Sequence, residues 1–275
     1  MSHAEVQRTL FRMQLDPEFG AQLRRRAPEA LGSVDLSTRE LDWLCSADPR
    51  AIAADRGGAR RAQFLRNVSS EFTLSLAALG PQALERFPRS SAFHEAVRQE
   101  RPLPLALADH LWACAPSADR GPIELERAMA RARRALRDAR PPRDDEVGLA
   151  PWAHLVDVPD GTLAWASDVR GSAGASASRP PAPGRPHETL LLVATPEPPP
   201  FGLRHVEVER VSDGLARLLV RLEPHPVSRA AREEHAAQVE ANVAELESVI
   251  TDLLREGVLV GSTSSGPGDP AQPIF

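Results

Sequence analysis

Between residues 239 and 260 the apolar positions Val239, Val243, Leu246, Ile250, Leu253 and Leu254 recur at intervals of three and four. That stripe is the signature of a helix with one face on a core. Gly257 then supplies a left-handed residue to end the helix, and Val258-Leu259-Val260 leaves it as a strand. Upstream, residues 205–211 alternate strictly: Val206 and Val208 lie on one side of a strand, and His205, Glu207 and Glu209 on the other. Ser212 or Asp213 caps a helix over 214–222, Pro224 and Pro226 end it, and Ser228 opens a charged helix over 229–238. Strand, helix, charged helix, long amphipathic helix and final strand follow one another as in a winged-helix domain. Such a domain binds an extended polymer, either nucleic acid or peptide.

The first 140 residues read as all-helical. Asp16-Pro17-Glu18 and Asp48-Pro49 each place a capping carboxylate before a proline, which has no N–H to leave unpaired at the first helical position. Ser37-Thr-Arg-Glu40 is a capping box that opens a helix carrying Leu41 and Leu44. Phe64, Leu65, Val68, Phe72, Leu76 and Leu79 mark the buried face of one longer helix over 59–79, and two more helices span 106–115 and 123–137.

The polar run Arg140-Pro-Pro-Arg-Asp-Asp-Glu146 marks a domain boundary. Beyond it, strands are expected at 154–158 and 162–166, joined by the turn Pro159-Asp160-Gly161, and again at 189–193. The expected fold class is α+β. A helical partner-docking domain, 1–140, precedes a small winged-helix-like domain, 147–262, with a three- or four-stranded antiparallel sheet. Within the second domain the Gly/Ala/Ser/Pro-rich stretch 170–187 is expected to be a disordered loop, and 263–275 a flexible tail.

Composition narrows the function more by exclusion than by indication. At 275 residues and 42% hydrophobic content the chain can bury two cores. All 33 basic residues are arginine and tyrosine is absent, a sign of coding bias that removes meaning from any single Arg-for-Lys choice. Two cysteines, Cys45 and Cys114, make neither a disulfide framework nor a ligand cluster. With no apolar signal core and no apolar run of membrane-spanning length, a cytoplasmic location is expected. No phosphate loop, dinucleotide glycine pattern, paired-Cys motif or His-Glu-x-x-His helix is present. Ser69 and Ser70 lack nucleophile-elbow glycines. The eight histidines are scattered, so no catalytic residue, metal site or cofactor is expected in this chain. An enzyme with a spatially assembled site remains a third reading, and it requires His94, His110 or His154 at metal-coordination distance.

Charge separates the two polymers. If the 229–238 helix is the groove reader, it brings Arg229 and Arg232 against Glu233 and Glu234. Across 204–256 seven arginines face eleven carboxylates, a net −4, and the whole chain carries −5. DNA affinity rests on neutralising several phosphates, which an acidic module repels. A peptide adds instead to a sheet edge through backbone hydrogen bonds, with apolar pockets supplying specificity. The expected groove joins the 205–211 strand to the stripe of the long helix, with Val206, Val208, Arg210, Val243, Leu246, Glu247 and Ile250 as peptide-binding residues. That Val206, Val208, Val243 and Ile250 merely pack against one another stays open. The alternative function is a winged-helix DNA-binding transcriptional regulator.

The order of these parts resembles one family. It is carried by the helix Ile123-Glu-Leu-Glu-Arg-Ala-Met-Ala-Arg-Ala, the strand Glu188-Thr-Leu-Leu-Leu-Val193, the strand and helix over 205–222, and the ending Leu253-Leu-Arg-Glu-Gly-Val-Leu-Val260. These are similar to the partner proteins of multinuclear non-haem iron-dependent oxidative enzymes that modify ribosomally made peptides, as in the methanobactin and thiaglutamate pathways. The resemblance spans roughly residues 100–262; Ala194-Thr195 stands where the family carries a tryptophan. It implies a non-catalytic accessory subunit whose C-terminal domain captures the precursor's leader as an added strand, while the N-terminal helices dock on the oxidase in a heterodimer or larger hetero-oligomer. Iron and catalysis would belong to the partner enzyme, and neither nucleic acid nor membrane is an implied partner.

Overall fold

The computed structural model describes residues 3–32, 34–46, 56–135, 146–171, 180–182, 184–195, 204–223, 226–238 and 242–261. The expectations for Asp48-Pro49, for the polar run ahead of Glu146, for the Pro-rich turn 196–200, for residues 172–179 and 183 of the 170–187 loop and for the tail lie outside them. The chain forms two compact units, but not the two expected. One comprises Met1–Arg127 and Pro159–Arg185, the other Ala128–Val158 and Pro186–Phe275. The crossing therefore falls inside a helix, not at the polar run, and the segment 159–185 returns to the first unit.

The first unit holds α1 (His3–Leu15), α2 (Pro17–Arg24), α3 (Pro28–Leu31), α4 (Thr38–Ser46), α5 (Arg56–Ser69), α6 (Thr73–Leu79), α7 (Pro81–Arg86), α8 (Ser91–Gln99) and α9 (Leu103–Cys114). α10 (Arg120–Arg134) begins there, and α11 (Thr162–Gly171) belongs to it. The caps form as the sequence indicates. Asp16 Oδ1 accepts the Glu18 and Phe19 N–H groups at 3.2 Å, with Pro17 next to the cap. Ser37 N donates to Glu40 Oε2 at 2.9 Å, and Glu40 N donates back to Ser37 Oγ at 3.4 Å. Met13, Phe19, Leu23, Ala30, Leu41 and Leu44 close one core. Edge-on aromatic pairs Phe64–Phe93 at 5.9 Å and Phe87–Phe93 at 5.4 Å lie in the same unit.

Two expectations for elements of this unit are overturned. The single helix over 59–79 is α5 and α6, with a break at Ser70-Glu71-Phe72. Phe72 provides no side-chain cap for α6. The cap comes instead from Glu126 on α10, whose Oε1 accepts Leu74 N at 2.8 Å and whose Oε2 accepts Ser75 N at 2.9 Å. A helix can start wherever its first N–H groups find acceptors, and here a distant carboxylate supplies them. The expected 162–166 strand is the start of α11: Thr162, Trp165 and Ala166 are buried at helical spacing. Five residues that alternate and also fit a helix are ambiguous by period alone.

In the second unit the strands divide into two three-stranded sheets where one was expected. β1 (Glu146–Leu149) lies between β5 (Val227–Ser228) and β6 (Leu259–Gly261), antiparallel to both. β2 (Ala153–Pro159), β3 (His187–Ala194) and β4 (Val206–Arg210) form the other sheet in that order. Three helices complete the unit: α12 (Asp213–Leu222), α13 (Arg229–Gln238) and α14 (Val243–Arg255). Leu218, Leu219 and Leu222 of α12 meet Ile250 and Leu253 of α14, together with Val147, Leu191 and Leu259 from the strands. The result is α+β with a winged-helix order: helix, strand, helix, helix, strand.

α14 starts at Val243, where Asn242 Oδ1 accepts Ala244 N at 2.9 Å; Val239 lies outside the described residues. Its end matches the sequence reading. Gly257 sits at φ 73°, Gly257 N donates to Leu254 O at 3.2 Å and Val258 N to Leu253 O at 2.9 Å, the paired bonds of a Schellman cap. Gly261, at φ 149°, admits close strand packing. A Cβ there would stand 2.3 Å from Glu146 O, so β6 lies against β1 only with glycine at this point.

Candidate peptide-binding face

β4 is the outer strand of its sheet among the described residues. Its pairing with β3 sets Leu192 opposite Val208 and Leu190 opposite Arg210. Thr195 N donates to His205 O at 2.9 Å and Val211 N to Thr189 O at 3.1 Å. In an antiparallel ladder bonded and non-bonded pairs alternate, so the odd-numbered residues 205, 207, 209 and 211 spend their N–H and C=O groups on β3. The backbone groups of Val206 and Val208 therefore point away from β3, as the open side of an outer strand does among the described residues. Side chains follow the alternation expected from sequence: Val206 is buried, Val208 half-buried, and Glu207 and Glu209 exposed. Arg210 is exposed and lies 3.9 Å from the buried carboxylate of Glu188.

The helix half of the expected site is placed differently. Ile250 is wholly buried in the core, so it packs and does not reach a ligand. Glu247 is tied at 3.3 Å to Arg232, which is only 3% exposed and also donates to Val227 O at 3.0 Å. That pair joins α13 to α14, and its geometry gives Glu247 a structural part. Val243 is exposed at the helix start. Leu246 lines an open groove of about 1060 Å³ with Val249, with Leu215 and Val220 of α12, and with Asp157 and Thr189, whose side chains share a 2.6 Å hydrogen bond.

Val206, Val208 and Arg210 do not line that groove. The single cleft expected between β4 and α14 thus becomes two features: an open strand edge, and an apolar groove between α12 and α14. Sequence reasoning missed Val220 and Val249. Both are exposed hydrophobics beside an otherwise regular core stripe, and an apolar residue off the stripe is the signal that marks them.

The reader helix also changes identity. In a helix-turn-helix the second helix enters the groove, and here that is α14, not α13. α14 carries Glu245, Glu247 and Asp252 against Arg255 alone, and on α13 Arg232 is buried. A phosphate backbone meets an acidic surface in either case.

The titratable groups noted from sequence sit in packed settings. His110 Nε2 lies 3.0 Å from Ala83 O, and burial lowers its pKa. Cys114, which is exposed, has its Sγ 3.9 Å from the same nitrogen. His154 is half-buried, its pKa lowered by burial and then by Arg131. Among the described residues no three His, Cys, Asp or Glu side chains converge to hold a metal ion. Nor is any helix among them long and apolar enough to cross a membrane. No family model and no curated protein matches the chain.

Proposed function

We propose that this chain binds an extended peptide as an added strand on β4. In line with the resemblance stated above, that peptide is the leader of a ribosomally made precursor, which the chain presents, as a non-catalytic partner, to an iron-dependent peptide-modifying oxidase. The observation that carries the reading is the pair of residues Val206 and Val208, whose backbone groups face outward on a strand that is outermost among the described residues. A leader lying antiparallel or parallel to β4 pairs with these groups, and the exposed carboxylates of Glu207 and Glu209 favour a leader with basic side chains on that face. The apolar α12–α14 groove offers a second place for a hydrophobic leader residue. Tethering of this kind raises the substrate's local concentration at the oxidase without any new chemistry in this chain.

Val208→Pro tests the edge directly. It deletes an N–H that faces away from β3, so no ladder bond is lost and the fold tolerates it. Leader affinity, measured by fluorescence anisotropy with precursor peptides encoded beside this gene, is expected to drop about tenfold or more, near 1.4 kcal/mol. Unchanged affinity in the proline variant removes β4 from the reading, and failure of every such leader to bind the native chain removes the function. The regulator alternative has its own readout. With a short DNA duplex at about 0.1 M salt no binding is expected; a shift that weakens steeply with added salt would favour DNA instead.

A further inference from the structure

A second cavity, in the first unit, lies between α1 and α8 and has a volume of about 290 Å³. Thr9 and Arg12 of α1, with Ser91, His94 and Arg98 of α8, line it. Thr9 is 2% exposed, and its hydroxyl has no hydrogen-bond partner among the described residues. His94 Nδ1, also buried, has none either. A buried polar atom without a partner is costly to keep, and two of them on residues that share a cavity wall mark the wall as built for a polar guest.

The charges around the cavity decide what kind of guest. Arg8, which also lines it, is held by Glu5 at 3.4 Å and Glu100 at 2.5 Å. Glu95 accepts from Gln99 at 2.9 Å. Arg98 has no carboxylate within ion-pair distance among the described residues, so its charge is available to an anion.

The tautomer of His94 follows from its other nitrogen. Nε2 faces Asp16 Oδ2 at 4.0 Å, and a carboxylate on that side favours a proton on Nε2. Burial, reinforced by Arg12, lowers the His94 pKa to about 4, so the ring is neutral at physiological pH and Nδ1 is an acceptor. The wall thus pairs a cation with a hydroxyl and, beside them, an acceptor that calls for a donor on the guest. A simple phosphate or acetate ion meets the first need and not the second.

We infer that this cavity binds a small carboxylate carrying a neighbouring hydroxyl or ammonium group, of the α-hydroxy or α-amino acid class. The carboxylate meets Arg98 and the Thr9 hydroxyl, and the adjacent O–H or N–H donates to His94 Nδ1. The volume suits such a guest, at the small end of ligand cavities. The site lies in the helical unit and is independent of peptide capture on β4.

The test titrates the full chain with L-lactate and L-serine, with acetate and inorganic phosphate as controls, at constant ionic strength. Binding is followed by calorimetry and by the 15N resonance of the His94 ring. Saturable binding of lactate or serine is expected, with a shift of the Nδ1 signal. Arg98→Gln, an exposed change that leaves the core intact, should weaken it about tenfold, while acetate binds more weakly. Equal binding of all four ions, equal binding in Arg98→Gln, or no binding of either acid overturns the inference.

Discussion

Glu126→Gln is expected to narrow its stability gap from the native chain by roughly 3 kcal/mol as pH rises from about 4.5 to 8. Glu126 is 1% exposed, and burial pushes its pKa from 4.5 up to about 7, against the opposing hydrogen bonds from Ser75 and Leu74 and the charge of Arg170. The folded chain therefore holds this proton more tightly than the unfolded chain. Between the two pKa values it carries more bound protons, so stability falls as pH rises across that window and levels off above it. Glutamine cannot titrate, and its amide turns two N–H donors toward Leu74 and Ser75 where the protonated acid turns one O–H, so the variant starts less stable at low pH.

The native profile alone is the wrong readout for this effect. His94, lowered to about 4, works in the opposite sense over the same range: the unfolded chain binds its proton first, and stability is lost on acidification. The difference between native and variant urea midpoints, taken pH by pH, isolates Glu126. A gap that stays constant from pH 4.5 to 8 defeats the expectation.

Glu126 also shows where sequence reading stops. The residues that end helices locally were legible: Gly257, the Ser37–Glu40 box and Asp16 each act within a few positions of themselves. The α5–α6 break was not, because the acceptor that lets α6 begin lies 52 residues away from Leu74. The same distinction divides the candidate site. Strict alternation placed Val206 and Val208 on one side of the strand and Glu207 and Glu209 on the other, a property of one strand. Which backbone groups face away from the sheet needed the β3 register, and that pairing is tertiary. Of the stripe on α14, Ile250 and Leu253 lie in the core, so Ile250 is unavailable to a ligand, while Leu246 lines a groove with its off-stripe neighbour Val249 and Val243 is exposed. A helical period reports burial, and a binding face is what burial leaves over.

Glu247→Ala is expected to destabilise the chain by about 3 kcal/mol while leaving leader affinity unchanged, although sequence placed Glu247 among the peptide contacts. Arg232 is 3% exposed and Glu247 27%. Removing the carboxylate takes from a buried guanidinium its ion-pair partner at 3.3 Å, while the bond to Val227 O remains. Removing the arginine is less costly. In Arg232→Met a flexible apolar side chain of similar length fills the same space, and the partly exposed Glu247 can turn to solvent, so a loss of about 1 kcal/mol is expected. The asymmetry is the diagnostic result, because a surface ion pair would give two small and similar losses. Urea denaturation of both variants measures it, with anisotropy on the same samples below their unfolding transitions. A Glu247→Ala loss under about 0.5 kcal/mol shows the pair to be solvent-screened, and a weakened leader affinity returns Glu247 to the binding face.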